Sequence, residues 1–117
     1  MDNAEFDDLV AAVLADLPPW VREALQQLTV LVEDEPGAEV PGGARDLLGI
    51  YIGTPLTERE ASYAGQLPDV IYIYRGPHLD LGLPPQALRE EIARTVLHEV
   101  AHYFGLDDDY LEREGWG

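Results

Sequence analysis

The sequence predicts an α+β fold, in which a small mixed sheet of about three strands packs against helices, one of them long. Apolar residues recur at helical spacing near both ends of the chain, and three short stretches rich in β-branched residues lie between them. Helices at both ends with strands between them favour a sheet that is covered mainly on one side. The length of 117 residues fits a single domain, so we expect residues 1–117 to form one domain around one core.

The N-terminal part predicts two helices. Apolar residues follow the i, i+3, i+4 pattern over residues 6–17, and Asp2 or Asn3 is placed to cap the first helix. Pro18 and Pro19 end this helix, since proline interrupts the helical hydrogen bonds. Pro19 also suits the first turn of a second, short helix over residues 19–28.

Three strands follow, separated by segments rich in proline, glycine or polar residues. The predicted strands are residues 28–34, 47–56 and 69–75. The segments predicted to lack regular structure are residues 35–46, 57–68 and 76–85. In the third strand Val70, Tyr72 and Tyr74 alternate with Ile71 and Ile73, which predicts two distinct faces.

The longest predicted element is a helix that begins at Pro84 or Pro85 and ends at Phe104. Proline is favourable in its first turn, and Gly105 is well placed to adopt the left-handed conformation that ends many helices. A short final helix is predicted over residues 108–114.

Composition limits the partners and the kinds of site. The formal net charge is −16, with seven arginines and no lysine. This charge disfavours nucleic acid and anionic membranes as partners, because both are bound through basic surfaces. The acidic N-terminus lacks the features of a signal peptide and no stretch is long enough to span a membrane, so we expect a cytoplasmic protein. Without cysteine, any metal must be held by histidine or carboxylate groups.

Two of the three histidines, His98 and His102, lie four residues apart on the long helix. Residues at this spacing lie one above the other, so both imidazoles can converge on one Zn²⁺ at about 2.0–2.1 Å. Glu99 is rotated by about 100° from His98 and lies beside such an ion, where it can reach a water molecule. This His-Glu-x-x-His arrangement is typical of zinc hydrolases with a glutamate as general base. The alternative is two ordinary histidines and a solvated glutamate on an amphipathic helix.

A third ligand is expected shortly after the helix, because catalytic zinc usually has three protein ligands and an open position. Asp108 lies three residues beyond Gly105 and is our choice. Asp107 is the alternative ligand. Any member of the run, Asp109 included, can instead cap the last helix.

The residues His98, Glu99, His102, Gly105 and Asp108 together resemble the site of zincin metallopeptidases with an aspartate in place of the third histidine. The whole chain is similar to the small zincin-like bacterial proteins called mini-zincins. The stretches that carry the similarity are YAGQLPDVIYIYRGP and HEVAHYFGLDDDYLEREG. No methionine follows the site, which separates the chain from the metzincins. The resemblance implies a minimal zincin-like fold, with an active-site helix and a small mixed sheet.

The resemblance also implies a zinc-dependent peptidase with one Zn²⁺ per chain and a peptide or protein substrate. Amide hydrolysis would use Glu99 as general base. The residues that could stabilise the oxyanion or bind substrate are Tyr63, Tyr72, Tyr74, Arg75 and His78. The tyrosines of the third strand can instead pack on the sheet, Arg75 can pair with an acid, and His78 can be an exposed loop residue.

In zincins an edge strand beside the metal binds the extended substrate, and the resemblance assigns this role to residues 69–75. The alternative is that this strand lies inside the sheet. Two other functions stay open. One is a metal-stabilised binding or regulatory module without catalysis, and the other is a metal-dependent hydrolase of a non-peptide substrate. Nothing in the sequence indicates an oligomeric state.

Overall fold

The computed structural model describes residues 1–56, 69–106, 109 and 113. Its first helix, α1, is Asn3–Asp16, and the second, α2, is Pro19–Leu25. The Asp2 side chain accepts a hydrogen bond from the Glu5 backbone N at 2.8 Å, and the Glu5 carboxylate in turn accepts one from the Asp2 backbone N. This reciprocal cap satisfies two backbone donors at the start of the helix. Of the two residues predicted to cap this helix, Asp2 is therefore the cap, and Asn3 is the first helical residue.

The strands are β1 (Thr29–Glu33), β2 (Gly49–Ile52) and β3 (Val70–Tyr74). Among the described residues they form one mixed sheet in the order β1-β3-β2, with β1 parallel and β2 antiparallel to β3. This confirms the predicted fold class.

The predicted role of residues 69–75 as an edge strand is wrong. β3 has a hydrogen-bonded neighbour on each side, so both of its edges are used. The pattern of alternating residues could not reveal this, because alternation reports the two faces of a strand and not its edges. The edge strand that lies against the long helix is β2.

A short 3-10 helix, Pro41–Gly43, lies between β1 and β2. β3 is followed by two α-helices, α3 (Arg75–Asp80) and α4 (Pro85–Tyr103). α3 has six residues. It begins at Arg75, the last residue of the predicted third strand, and continues into the segment 76–85 that was predicted to lack regular structure, because glycine and proline there disfavour a helix. α4 matches the predicted long helix. Gly105 follows it with φ of 90°, the left-handed conformation expected there.

The core lies between the sheet and the helices. Ile71 and Ile73 are fully buried, and they share the core with Ile92, Val96 and Val100 of α4. The other buried hydrophobic residues of this cluster are Phe6, Val10, Val13, Leu17, Val21, Ala24, Leu88 and Tyr103. Within the described ranges, no helix has the length and apolar character needed to cross a bilayer. The result is a long helix held on one face of the sheet and beside the β2 edge.

Candidate metal centre

His98, Glu99 and His102 form a cluster near the C-terminal end of α4. One ligand atom from each lies within 4.8 Å of the other two, and the two imidazole rings meet edge to face with centroids 4.6 Å apart. Glu99 is buried, whereas the two histidines are partly exposed. The cluster thus combines three side chains that could hold a metal with access from solvent, in the arrangement that the helical spacing predicted.

Glu99 connects α4 to the edge of the sheet. Tyr74 N donates to Leu48 O at 2.9 Å, so in β2 the residues Gly49 and Tyr51 direct their backbone groups away from β3. The outward N–H of Tyr51 donates to Glu99 Oε1 at 2.9 Å. This bond satisfies a buried carboxylate oxygen and fixes its orientation.

The same oxygen of Glu99 lies 3.1 Å from Nδ1 of His102. A carboxylate accepts hydrogen bonds, so this contact favours the tautomer with the proton on Nδ1. Nε2 then carries the lone pair that can bind a metal. A carboxylate that orients a ligand histidine in this way is common around zinc. The two imidazoles therefore fit a zinc ion as two of its ligands, and Glu99 lies beside them, where a general base is expected.

A cleft of about 370 Å³ opens beside the cluster, between α4 and the segment that leads into β2. Its lining residues are Asp46, Leu47, Leu48, Gly49, Glu91, Arg94, Thr95, His98 and Glu99. Arg94 is exposed and precedes His98 by one helical turn, so it lies on the same side of α4. The sequence interpretation missed Arg94, although the i, i+4 spacing from His98 was visible. It also missed the residues before β2, which only the fold brings to α4.

Gly49 permits the close approach of α4 to β2. A Cβ atom there would lie 2.6 Å from Tyr72 O and 2.7 Å from Thr95 Cγ2. Both distances are far below van der Waals contact, so a side chain is excluded unless the backbone shifts. Close packing at Gly49 is therefore part of what brings Glu99 to the β2 edge.

His78 is fully buried, contrary to the expectation of an exposed loop histidine. Its Nδ1 lies 2.7 Å from Tyr74 O, and its Nε2 lies 3.0 Å from Thr95 Oγ1. Burial lowers the pKa of His78, and the hydrogen bond to Tyr74 O and the nearby Glu91 oppose this effect in part. The helix α3, which the sequence did not predict, carries His78 into the core.

Tyr72, Tyr74 and Arg75, which were also proposed to bind substrate or the oxyanion, do not line the cleft. Tyr72 and Tyr74 alternate with the core residues of β3, so they lie on the face of the sheet opposite α4. The Tyr74 hydroxyl donates to Glu39 at 3.1 Å, and burial is the main cause that raises its pKa. Arg75 forms ion pairs with Asp7 and Asp34, which raise its pKa. The interpretation of Arg75 as a partner of acidic residues is the one that agrees with the structure.

Three predictions concern residues outside the described part of the chain. Tyr63, Asp108 and its alternative Asp107 all lie there, and so does most of the predicted last helix. Their roles remain predictions.

Comparison with known proteins agrees with the fold and the cluster. A family model described as zincin-like metallopeptidase matches residues 25–116. Among solved structures, a conserved hypothetical protein from Thermus thermophilus is similar, with a TM-score of 0.57 and 25% sequence identity. The similarity covers 89% of this chain and 94% of that protein. The curated proteins gave no match.

Proposed function

Because this chain belongs to the zincin-like metallopeptidase family, we propose that it is a zinc-dependent peptidase. The observation that carries the proposal is the cluster of His98, Glu99 and His102 at the wall of an open cleft. His98 and His102 would hold one zinc ion per chain, and Asp108 is the proposed third ligand. When bound, zinc would polarise the scissile carbonyl and lower the pKa of a water molecule.

In this proposal Glu99 acts as the general base. Its Oε1 is held by Tyr51 N and His102, and no described contact engages Oε2. We therefore assign Oε2 the proton of the attacking water, which Glu99 then delivers to the leaving amine. The anchored Oε1 restricts the motion of the carboxylate, so the base is oriented before substrate arrives.

The substrate would be an extended peptide, or an exposed loop of a protein, that lies along the outer edge of β2. Gly49 directs its N–H and C=O groups to this edge, and the edge borders the cleft. Backbone pairing of this kind holds a peptide with little dependence on its sequence. Arg94 is the basic residue among those lining the cleft, and we propose that it interacts with the oxyanion or with a substrate carboxylate.

The charge of −16 supports a peptide substrate over a nucleic acid or an anionic membrane. A cytoplasmic location and a single domain over residues 1–117 stay predictions of the sequence.

One observation favours a second function, a metal-stabilised binding module without catalysis. Glu99 already has a structural role, because its carboxylate ties α4 to the β2 edge and orients His102. A metal-stabilised binding module without catalysis would need Glu99 only for those two contacts.

The substitution Glu99→Gln separates the two functions. Glutamine retains an oxygen that can accept from Tyr51 N, so the fold should persist, but it cannot take a proton. The peptidase proposal expects metal uptake by the variant and a loss of hydrolysis of roughly 10²–10⁴-fold in a peptide library. The control His98→Ala should lose both metal uptake and hydrolysis. If wild type and Glu99→Gln cleave nothing in a broad library while both bind zinc, the binding module is the better function.

A further inference from the structure

The third histidine of the chain, His78, has no part in the proposed reaction, yet it lies directly behind the site. Its ring is fully buried and contacts Phe6, with ring centroids 5.8 Å apart. One nitrogen contacts Tyr74 O at the end of β3, and the other contacts Thr95 Oγ1 on α4. His78 therefore bridges the central strand and the long helix.

The hydrogen bonds around His78 can be assigned by counting donors. Tyr74 O can only accept, so Nδ1 of His78 must carry a proton. In the neutral ring that burial favours, Nε2 is then an acceptor, and the Thr95 hydroxyl donates to it. Thr95 Oγ1 also lies 3.0 Å from Glu91 O, but its single hydrogen can serve only one acceptor at a time. Both contacts are made from the same position of Oγ1. The contact to His78 ties this Thr95 rotamer to α3 and to the end of β3, which the local contact to the helix backbone does not.

The orientation of Thr95 matters because its methyl group faces Gly49. Thr95 and Glu99 are four residues apart, so they lie on the same side of α4 and both meet β2. Thr95 packs against the strand at Gly49, and Glu99 bonds to it at Tyr51. A shift of Thr95 would therefore change the distance between Glu99 and the Tyr51 N–H.

We propose that His78 is a positioning residue for the metal cluster. Through Thr95 it holds α4 at the distance from β2 at which Glu99 accepts the hydrogen bond from the Tyr51 N–H. The inference rests on the metal site proposed above. It adds a role for a residue outside the cleft and predicts that the cluster responds to a change made in the core behind it.

The test uses His78→Asn, Thr95→Val and the double variant. Asparagine can still donate to Tyr74 O from the position of Nδ1 but cannot reach Thr95. Valine keeps the shape of Thr95 and removes its hydroxyl, so it remains informative if the histidine variant folds poorly. Zn²⁺ affinity is measured by competition with a chelating dye. Exchange of the Tyr51 amide hydrogen is measured by NMR in metal-free protein.

Each single variant should weaken Zn²⁺ binding by roughly tenfold, the lower end of the range for groups that support metal ligands. Tyr51 should exchange several-fold faster in both. The double variant should be no worse than either single variant, because the two substitutions break one link. The control Val21→Ala removes two methyl groups of a fully buried side chain of α2 from the same core and should lower stability without changing either readout.

Three results would overturn the inference. They are wild-type values in both single variants, changes no larger than those of Val21→Ala, and additive effects in the double variant. If the wild type itself takes up no zinc, the proposed function fails instead. Tyr51 exchange then decides the inference by itself.

Discussion

At the scale of single residues, Glu99 makes contacts that its position in the His-Glu-x-x-His pattern does not indicate. Its Oε1 accepts one hydrogen bond from the β2 backbone, from Tyr51 N at 2.9 Å, and lies 3.1 Å from His102 Nδ1. Helical spacing places Glu99 beside His98 and His102, but the bond to Tyr51 spans 48 positions of sequence. A contact over such a separation follows from the fold and not from local periodicity.

Gly49 is the residue whose replacement has the clearest steric consequence. Gly49→Ala would place a methyl group against the backbone oxygen of Tyr72, which cannot rotate away. We expect a loss of about 1–3 kcal/mol in the free energy of unfolding, typical of an overpacked position. Urea denaturation measures this loss. As a control, Gly82→Ala introduces a methyl group into open space at φ of 65°, so any loss there comes from backbone strain. A Gly49→Ala protein as stable as the wild type would contradict the close approach of α4 and β2.

Asp108 is the proposed third ligand, and it can be compared directly with its neighbours. Asp108→Asn should weaken zinc binding by at least roughly tenfold, because an amide is a poorer ligand than a carboxylate. Asp107→Asn and Asp109→Asn should have smaller effects. Competition titration with the same dye gives all three affinities. If Asp107→Asn or Asp109→Asn weakens binding more than Asp108→Asn does, the choice of ligand is wrong.

At the scale of elements, the helices of the structure differ in how far local sequence explains them. α1 has a complete cap and apolar residues at regular spacing, so both its start and its buried face were predicted. α3 has no side-chain cap and contains glycine and proline, so local signals do not indicate a helix. It begins directly after β3, and its residues Pro77 and His78 are buried. Its stability comes from packing, which a local pattern does not record.

The cap of α1 allows a prediction for that element. Asp2→Ala removes the acceptor of the Glu5 N–H and should lower the free energy of unfolding by about 0.5–2 kcal/mol. Thermal or urea denaturation measures the change. Asp2→Asn retains an acceptor and should be close to the wild type. Equal losses in Asp2→Ala and Asp2→Asn would mean that the hydrogen bond contributes little.

At the scale of the whole molecule, metal binding and folding should be coupled. The cluster draws on residues of α4 that the fold holds in place, so zinc should bind the folded chain more tightly than the unfolded one. Zinc at a hundred times its dissociation constant should then stabilise the protein by about 2.7 kcal/mol. Thermal unfolding with and without a chelator measures this shift. His98→Ala is the control, and it should show no shift. Equal shifts in the wild type and His98→Ala would indicate that zinc acts elsewhere.

The sequence by itself determined the features that depend on local spacing. These are the cap and face of α1, the extent of α4, the turn at Gly105 and the cluster of His98, Glu99 and His102. Each follows from residues within about one or two helical turns, where geometry is nearly independent of the rest of the chain.

Only the tertiary structure decided which strands form the edges of the sheet, which loop borders the cleft, and that His78 is buried behind the site. Strand order depends on how distant segments pair, and the alternation within residues 69–75 suits a central strand as well as an edge. The burial of His78 depends on α3, which forms through packing. The sequence predicted the long helix α4 but not the segments that pack against it, because they meet it only through long-range contacts.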